Sequence, residues 1–161
     1  MAEETTPEWA PGLSSGFELG TDGPRVIMVG IDGSDASWRA TAYAAGLARR
    51  QNSLLAMVYV QPWIAMAGAY GVDVQGATAE MAEDLARQVR EHAEKVKDVY
   101  RTRWKFMTRR GDPFTVLAEA ADELKADGVV VGASEKAGHR IIGSVAVRLV
   151  KAGRWPVTVV P

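Results

Sequence analysis

The sequence contains no cysteine among its 161 residues and only two histidines, His92 and His139. The absence of cysteine excludes disulfide scaffolds, thiolate zinc sites, iron–sulfur clusters and cysteine nucleophiles. Two histidines are too few for a multi-histidine metal site. A chain without cysteine also fits a reducing compartment. Thiol and histidine-metal chemistry are therefore the first classes of function that the sequence argues against.

The sequence also lacks an excess of charge, a secretion signal and a long hydrophobic run. Nineteen Lys and Arg residues oppose twenty Asp and Glu residues, so the formal charge is -1 and no overall field attracts nucleic acid or an anionic membrane. The longest purely hydrophobic run, residues 54–60, is far shorter than the roughly 18 to 20 residues of a membrane span. The N-terminus has no basic segment followed by an apolar core. We therefore expect a cytoplasmic protein that binds neither nucleic acid nor a membrane.

The residues that are present are typical of one folded domain with a short leader. Apolar residues make up 47% and charged residues 24%, and 161 residues suffice for a single core. Residues 1–24 are acidic and rich in Pro and Gly, and we expect them to form a flexible leader. Trp9 and Phe17 in this leader are candidates for docking on the body or on a partner. The domain itself is expected to span residues 25–161.

From Arg25 onward, short apolar runs alternate with helical patterns. Residues 63–76 show no clear period, and they are expected to form a flap or an irregular excursion. In the first helix, Trp38, Ala42, Ala45 and Ala48 are predicted to face the sheet. Strands are predicted at Val26–Ile31, Leu54–Gln61, 104–108, Gly128–Gly132 and Val157–Val160, and helices at about 35–52, 78–100, 113–125 and 143–153.

This alternation predicts a doubly wound α/β fold, an open five-stranded parallel sheet with helices on both faces. The first and fourth strands are apolar on both faces and are expected to be neighbours in the middle of the sheet. Ligands of such sheets bind beyond the carboxyl ends of the strands, where the winding reverses. Two loops at that edge, residues 30–34 and 132–144, are the candidate binding loops. The last strand has no following helix to cover its edge, so we expect it to pair with a second copy.

The loop after the fourth strand has the outline of an anion site. Gly132 ends the strand without a side chain, so that backbone can approach a ligand, and Gly143 and Ser144 begin a helix with free N–H groups and a hydroxyl. Lys136, His139 and Arg140 add positive charge between them. A turn glycine, a helix cap and ordinary surface cations remain the alternative explanation.

Asp32, at the end of the first strand, is the second candidate. Its carboxylate can accept a hydrogen bond from an adenine amino group or a ribose hydroxyl, or it can brace the loop with Ser34. Gly30 and Gly33 do not have the spacing of a dinucleotide fingerprint, and no P-loop lysine motif is present. No acidic pair or His–carboxylate pair is found beside the loop to hold a metal or to position a water molecule. We therefore expect at most a slow ATPase activity.

Several segments together resemble the universal stress protein family. They are Val-Gly-Ile-Asp-Gly-Ser at 29–34, Gly-Asp-Pro at 111–113, Val-Val-Val-Gly-Ala-Ser at 129–134, Gly-Ser-Val-Ala at 143–146 and Trp-Pro-Val-Thr-Val-Val at 155–160. The resemblance covers about residues 25–160 and implies a sheet of order 3-2-1-4-5 and a homodimer through Val157–Val160. In one of the family's two branches it also implies ATP or another adenine nucleotide between the first and fourth strands.

The nucleotide-binding branch carries Gly, two residues, Gly, nine residues, then Gly and Ser or Thr. Gly132 matches the first glycine and Gly143-Ser144 the last pair, but Glu135 stands at the middle glycine and the loop is two residues shorter. Gly138 can supply flexibility from another position. By this resemblance, Asp32 and Val60 correspond to positions that hold the adenosine in the family. Together with the residues of the two candidate loops, the expected nucleotide-binding residues are Ile31, Asp32, Gly33, Val60, Val131, Gly132, Gly138, His139, Arg140, Gly143, Ser144 and Val145.

The leading interpretation is a cytoplasmic stress-response regulator that binds ATP, ADP or AMP, with or without Mg²⁺, and acts through conformation or a regulatory protein partner. The alternative is a dimerising module of the same family that binds no nucleotide, which Glu135 and the short loop favour. A related adenine-nucleotide hydrolase or ligase is disfavoured because residues 32–35 supply no Ser-Gly-Gly loop. A receiver domain is disfavoured because residues 108–111 supply no Asp after the third strand.

Overall fold

Residues 25–61, 74–96, 101–136 and 139–161 are described by a computed structural model, without the side chains of 74, 75, 78, 135, 136 and 139–141. The leader, residues 1–24, and most of the stretch 63–76 lie outside the described residues. The strands are β1 (Val26–Ile31), β2 (Leu54–Gln61), β3 (Arg103–Arg110), β4 (Gly128–Gly132), β5 (Ser134–Lys136), β6 (His139–Ile141) and β7 (Val157–Val160). The helices are α1 (Asp35–Gln51), α2 (Val74–Val96), α3 (Pro113–Glu123) and α4 (Ser144–Ala152).

Five parallel strands form one sheet in the order β3-β2-β1-β4-β7. This is the predicted order 3-2-1-4-5, since β7 is the fifth strand of the main sheet. The predicted neighbours β1 and β4 pair with Met28 opposite Val129. The less apolar β3 and the C-terminal β7 form the two edges. The predicted doubly wound fold is therefore confirmed.

The sheet separates two apolar layers, because successive side chains of a strand point to opposite faces. Met28 and Val129 pack in one layer with residues of α3 and α4, whereas Val29 and Val130 pack in the other with residues of α1 and α2. Helices thus cover both faces, and this is why the central strands are apolar throughout. No helix in the described part of the chain is long and apolar enough to cross a membrane.

The buried face of α1 differs from the prediction. Ala36, Ala40, Ala44 and Ala48 are at most 2% exposed and pack against the sheet. Of the predicted stripe only Ala48 is buried; Ala42 is exposed and Trp38 and Ala45 are half-buried. The helix is so rich in alanine that several stripes have similar hydrophobicity. The large side chain of Trp38 favours the stripe that contains it in the sequence, although a different stripe is buried. The four-residue spacing of the smallest side chains was the better signal, because it lets the helix axis approach the sheet closely.

The connection from β4 to α4, predicted as a loop, contains a short antiparallel ribbon. Its strands β5 and β6 pair Ser134 with Ile141, Glu135 with Arg140 and Lys136 with His139. Three-residue strands are too short to reveal a period of two in the sequence. The segment between the first and last glycines of the candidate phosphate loop is therefore largely ordered by backbone pairing.

Candidate functional site

A cavity of about 620 Å³ opens at the carboxyl edge of the sheet, where the winding reverses between β1 and β4. Small-molecule sites have volumes of about 300 to 1,000 Å³. Parallel strands all end at this edge, and the helices that follow them begin there. The cavity is therefore built from the end of β1, the second half of β2, the end of β4 and the first turns of α1, α3 and α4.

The cavity collects most of the residues expected to bind a nucleotide. Gly33 is not among the described lining residues; a Cβ there would meet Leu85 of α2, on the far side of the turn. His139 and Arg140 belong to β6, with side chains outside the description, and Gly138 lies outside the described residues. The expected residues that do line the cavity are Ile31, Asp32, Val60, Val131, Gly132, Gly143, Ser144 and Val145.

The turn between β1 and α1 is stabilised by its own side chains. Ser34 is the N-cap of α1, and its hydroxyl accepts from the Ser37 N–H at 3.2 Å. The Ser37 hydroxyl donates to the Ser34 carbonyl at 2.9 Å and accepts from the Asp32 N–H at 3.3 Å. This network gives the Ser37 N–H of the first turn of α1 a side-chain acceptor without a ligand.

Asp32 takes part in the same turn. One carboxylate oxygen, Oδ1, accepts from the Ser34 N–H at 2.9 Å, so Asp32 does brace the loop as one of the two sequence-based interpretations held. The residue is nevertheless exposed and lines the cavity. Burial and, secondarily, the negative charge of Asp32 raise the pKa of the Tyr59 phenol. The phenol is therefore neutral beside a carboxylate that can still accept from a ligand.

Gly132 is needed for the packing of α1 against β4, and it also lines the cavity. A Cβ at this position would lie 2.6 Å from the carbonyl carbon and 2.7 Å from the oxygen of Ala36, and 2.8 Å from the backbone nitrogen of Ser37. These atoms belong to the backbone of α1, which cannot yield as a flexible side chain would. The missing side chain thus lets α1 begin against the end of β4 and shapes one wall of the cavity.

The N-terminus of α4 differs from that of α1. Gly143 is its N-cap and makes no side-chain capping hydrogen bond, while Ser144 is the first helical residue. The cap position therefore belongs to Gly143, not to Ser144 as one sequence-based alternative had it. The first N–H groups of a helix have no partner within the helix, and the helix dipole favours negative charge beside them. Both residues line the cavity, so the N-terminus of α4 forms part of the cavity wall.

A third helix, α3, begins beside the cavity with a charged cap. Asp112 accepts from the Thr115 N–H at 3.0 Å and from its hydroxyl at 2.8 Å, and it lies 3.3 Å from Arg148. The Thr115 hydrogen bonds, followed by Arg148, hold the pKa of the Asp112 carboxyl below its usual value. Pro113, in the first turn of α3, lines the cavity itself.

Several lining residues were not predicted. Gly30 lets Leu117 of α3 come close, since a Cβ there would lie 3.2 Å from Leu117 Cδ1. Ile142, at the end of the ribbon, is 59% exposed. Val58 and Pro113 could have been predicted, because parallel strands end at one edge of the sheet. Leu117 and Ser134 line the cavity through tertiary packing, which no local sequence pattern predicts. The unpredicted lining residues are Gly30, Ser34, Ala36, Ser37, Val58, Pro113, Leu117, Ala133, Ser134, Ile142 and Ala146.

The described lining of the cavity combines apolar and polar groups. Valine, leucine and alanine side chains form an apolar floor, and hydroxyls, one carboxylate and a helix N-terminus stand around it. None of the described lining residues is Lys or Arg. No cluster of His, Asp and Glu suited to a metal ion occurs within the described ranges.

Comparisons with known sequences agree on one family. The model of the universal stress protein family matches residues 24–161. A universal stress protein of Methanocaldococcus jannaschii is 30% identical over 154 residues, which are 92% of this chain and 88% of the relative. One from Mycobacterium tuberculosis is 33% identical over 136 residues, 83% of this chain but 44% of the relative, so the chain spans less than half of that protein.

Comparisons with solved structures agree on the fold. A universal stress protein from Lactobacillus plantarum superposes with a TM-score of 0.71 at 22% identity, covering 85% of this chain and 97% of that one. A universal stress protein in complex with cAMP superposes with a TM-score of 0.56 at 26% identity, covering 85% and 96%. One from Archaeoglobus fulgidus in complex with dAMP superposes with a TM-score of 0.61 at 20% identity, covering 85% and 98%.

Proposed function

The chain belongs to the universal stress protein family, and from that premise we propose that it binds an adenine nucleotide in the cavity between β1 and β4. The observation that carries the proposal is the start of α4 beside that cavity, with glycine as its cap and no side-chain capping hydrogen bond from that residue. A phosphate is the ligand that such a helix end prefers. Family members of this fold bind cAMP and dAMP, which supports an adenine nucleotide over other phosphorylated ligands.

In this proposal, the base and the phosphate occupy opposite ends of the cavity. The adenine contacts the apolar floor around Val60 and Val131, and the free acceptor capacity of Asp32 receives a hydrogen bond from the adenine amino group or the ribose. The phosphate lies against the N–H groups and hydroxyl at Gly143 and Ser144. Positive charge on the ribbon, at Lys136, His139 and Arg140, reinforces the phosphate end.

The biological role that we propose is a cytoplasmic stress-response regulator rather than an enzyme. Nucleotide binding sets the conformation of the loops at the carboxyl edge of the sheet, and a regulatory protein binds to that conformation. Assembly as a homodimer through β7 is part of the proposal, because β7 pairs only with β4 among the described strands and leaves its other edge open. Sedimentation at micromolar concentration tests the dimer, and removal of the residues after Pro156 should abolish it.

A second candidate function is a dimerising module that binds no nucleotide. Two observations favour it: Gly132 serves the packing of α1, and the connection to α4 is a paired ribbon that carries Glu135. A glutamate in the position of a glycine adds bulk and negative charge beside a polyphosphate.

Mass spectrometry of nucleotide released from the freshly purified protein is the first test, followed by calorimetry with ATP, ADP, AMP and cAMP. Asp32→Ala should weaken ATP and AMP equally, because it acts at the adenosine end. Asp32→Asn is the control, since its amide oxygen can still accept from the Ser34 N–H. Glu135→Gly should improve ATP more than AMP, because repulsion grows with the number of phosphates. If no adenine nucleotide binds at millimolar concentration, even to Glu135→Gly, the dimerising module is the correct function.

A further inference from the structure

A second cavity, of about 430 Å³, lies between α1 and α2, over the sheet face opposite α3 and α4. We call it the α1–α2 groove. Its floor consists of Leu55 and Met57 of β2 with Val89 of α2, and its sides include Trp38 and Trp104. It is separate from the cavity between β1 and β4, because no described residue lines both.

The groove leaves apolar surface uncovered in the described part of the chain. Both tryptophans are half-buried although they pack against the core of this face, and Ala42 at the rim is exposed. Aromatic side chains gain most from burial because of their large area. An apolar cleft with two tryptophans in its wall is typical of a surface that receives another segment.

Two cationic side chains, those of Arg49 and Arg101, line the groove, and no carboxylate is among its described lining residues. The leader, residues 1–24, holds five of the twenty acidic residues of the chain and none of its Lys or Arg residues. Residues 25–161 therefore carry nineteen basic and fifteen acidic side chains. The leader and the body have opposite charge.

The leader joins the body near the groove. The Arg25 and Val26 N–H groups both donate to Asp127 Oδ2, at 2.8 and 2.9 Å, which anchors the chain at the amino edge of the sheet. The same edge holds Arg49, in the last turn of α1, and Arg101, just before β3.

The distance to the groove is short for a chain of this length. Two strand spacings of about 4.8 Å each separate β1 from β3. Eight residues separate Phe17 from Arg25 and span up to about 27 Å when extended. Trp9 lies eight residues further from the anchor, so both aromatic residues can reach the groove without strain.

We propose that the acidic leader docks in the α1–α2 groove of its own chain. Trp9 and Phe17 pack on the two groove tryptophans and on Ala42 at the rim, and the acidic residues of the leader face Arg49 and Arg101. The apolar contacts supply affinity, and the opposite charges orient the segment. Because the leader is tethered at Arg25, its local concentration is high and a weak contact suffices.

The absence of cysteine makes this docking directly measurable. Ser15→Cys provides the single thiol for a nitroxide label in the full-length chain. In nuclear magnetic resonance spectra, the indole signals of Trp38 and Trp104 should lose most of their intensity when the label is oxidised and regain it when the label is reduced. The signal of Trp155, which packs on the opposite face, should keep its intensity and serves as the internal reference.

Two matched pairs of variants locate the contact. In the labelled chain, Trp9→Ala with Phe17→Ala should restore the Trp38 and Trp104 signals, whereas Thr5→Ala with Thr21→Ala should not. At the groove, Ala42→Asp should repel the leader and restore the signals, whereas Ala42→Lys should keep them broadened. Position 42 is exposed, so both substitutions are compatible with the fold, which the unchanged Trp155 signal verifies.

A mixture of isotope-labelled chains without nitroxide and unlabelled chains with nitroxide distinguishes the occupants. The proposal expects no loss of intensity in this mixture. Broadening that occurs only in the mixture would show that the leader docks on a second copy, and this would overturn the proposal. Unbroadened signals in the directly labelled chain would also overturn it, since the groove would then be left for a separate partner.

Discussion

Helices α1 and α4 both begin at the cavity, but their first turns are satisfied differently. At α1, Ser34 and Ser37 provide side-chain partners for the turn, and Asp32 Oδ1 binds the Ser34 N–H at 2.9 Å. At α4 the cap is Gly143, which offers no side chain. The two helix ends begin at the same edge of the sheet, yet among the described residues only α1 has a side-chain cap at its first turn.

The difference teaches that position at the carboxyl edge does not by itself define a phosphate site. A helix end that is already capped has used the groups that would bind an anion, whereas an uncapped end keeps them for a ligand or water. A related contrast separates the two glycines at the ends of the connection from β4 to α4. Gly132 is required by the backbone of α1, while Gly143 leaves the start of α4 accessible.

The largest expected effect comes from placing a negative charge at the uncapped end. Gly143→Asp should weaken AMP and ATP by at least about 100-fold in calorimetry, because two like charges about 4 Å apart repel by about 4 kcal/mol at an effective dielectric constant of 20. The backbone there has φ -64° and ψ 156°, which any residue can adopt.

Gly143→Asn is the matched control for this experiment. It has the same size, meets the same Ser134 Cβ at 3.1 Å and caps a helix about as well as Asp, but it carries no charge. It should retain more affinity than the Asp variant. Equal affinity of the two variants would mean that no phosphate lies at this helix end.

The next effect tests whether Gly132 serves packing. Gly132→Ala should lower the free energy of unfolding by about 1 to 3 kcal/mol in urea titrations without nucleotide, since overpacking against rigid backbone has costs of this size. Gly128→Ala, in the same strand, is the control because its nearest neighbour would be Ile27 Cδ1 at 3.7 Å. If both variants are equally stable, the contact with α1 does not constrain the fold.

A smaller effect should separate the two serines. Ser34→Ala should cost about 1 kcal/mol of stability through the lost cap of α1. Ser144→Ala should leave the free energy of unfolding nearly unchanged but weaken nucleotide binding by about 0.5 to 1.5 kcal/mol, or up to about 3 if its acceptor is a charged oxygen. Unfolding titrations and calorimetry on both variants measure this contrast. A comparable loss of stability in Ser144→Ala would show that α4 depends on a cap after all.

The smallest effect concerns pH. The folded-state pKa of Asp112 is lowered, chiefly by the Thr115 hydrogen bonds, so its contribution to stability is present above the unfolded-state pKa and is lost as pH falls through the folded-state value. The stability deficit of Asp112→Asn should therefore be greatest near neutral pH and shrink below about pH 4. Urea titrations from pH 7 to pH 3 test this, with Ser34→Ala as the control, whose deficit should not follow the titration of a carboxyl. A deficit of Asp112→Asn that does not change with pH would contradict it.

The sequence predicted the strands of the main sheet well, and the ribbon and the buried face of α1 less well. β1, β2 and β4 have the predicted bounds because strands covered on both faces are continuous apolar runs between polar residues. The ribbon at Ser134 to Ile141 was missed because its strands are too short for a periodic pattern. The buried face of α1 was misassigned because alanine-rich helices have no single dominant stripe.

The residues of the cavity show the same division. Asp32 and Ser144 were found because they follow a strand or begin a helix, and such positions can be read along the chain. Leu117 enters the cavity wall only because Gly30 gives it room, a contact between residues far apart in sequence. A pattern within one short segment of sequence cannot predict such a contact.

What the sequence by itself determined is the alternation of strands and helices, the central place of β1 and β4, and hence the edge at which a ligand can bind. These follow from hydrophobic periodicity and from the handedness of parallel crossovers, which are properties of short segments. Only the tertiary structure decided that Gly132 accommodates α1 and that Gly143 leaves α4 uncapped. Both facts depend on distances between elements, and those distances are set by the packing of the whole core.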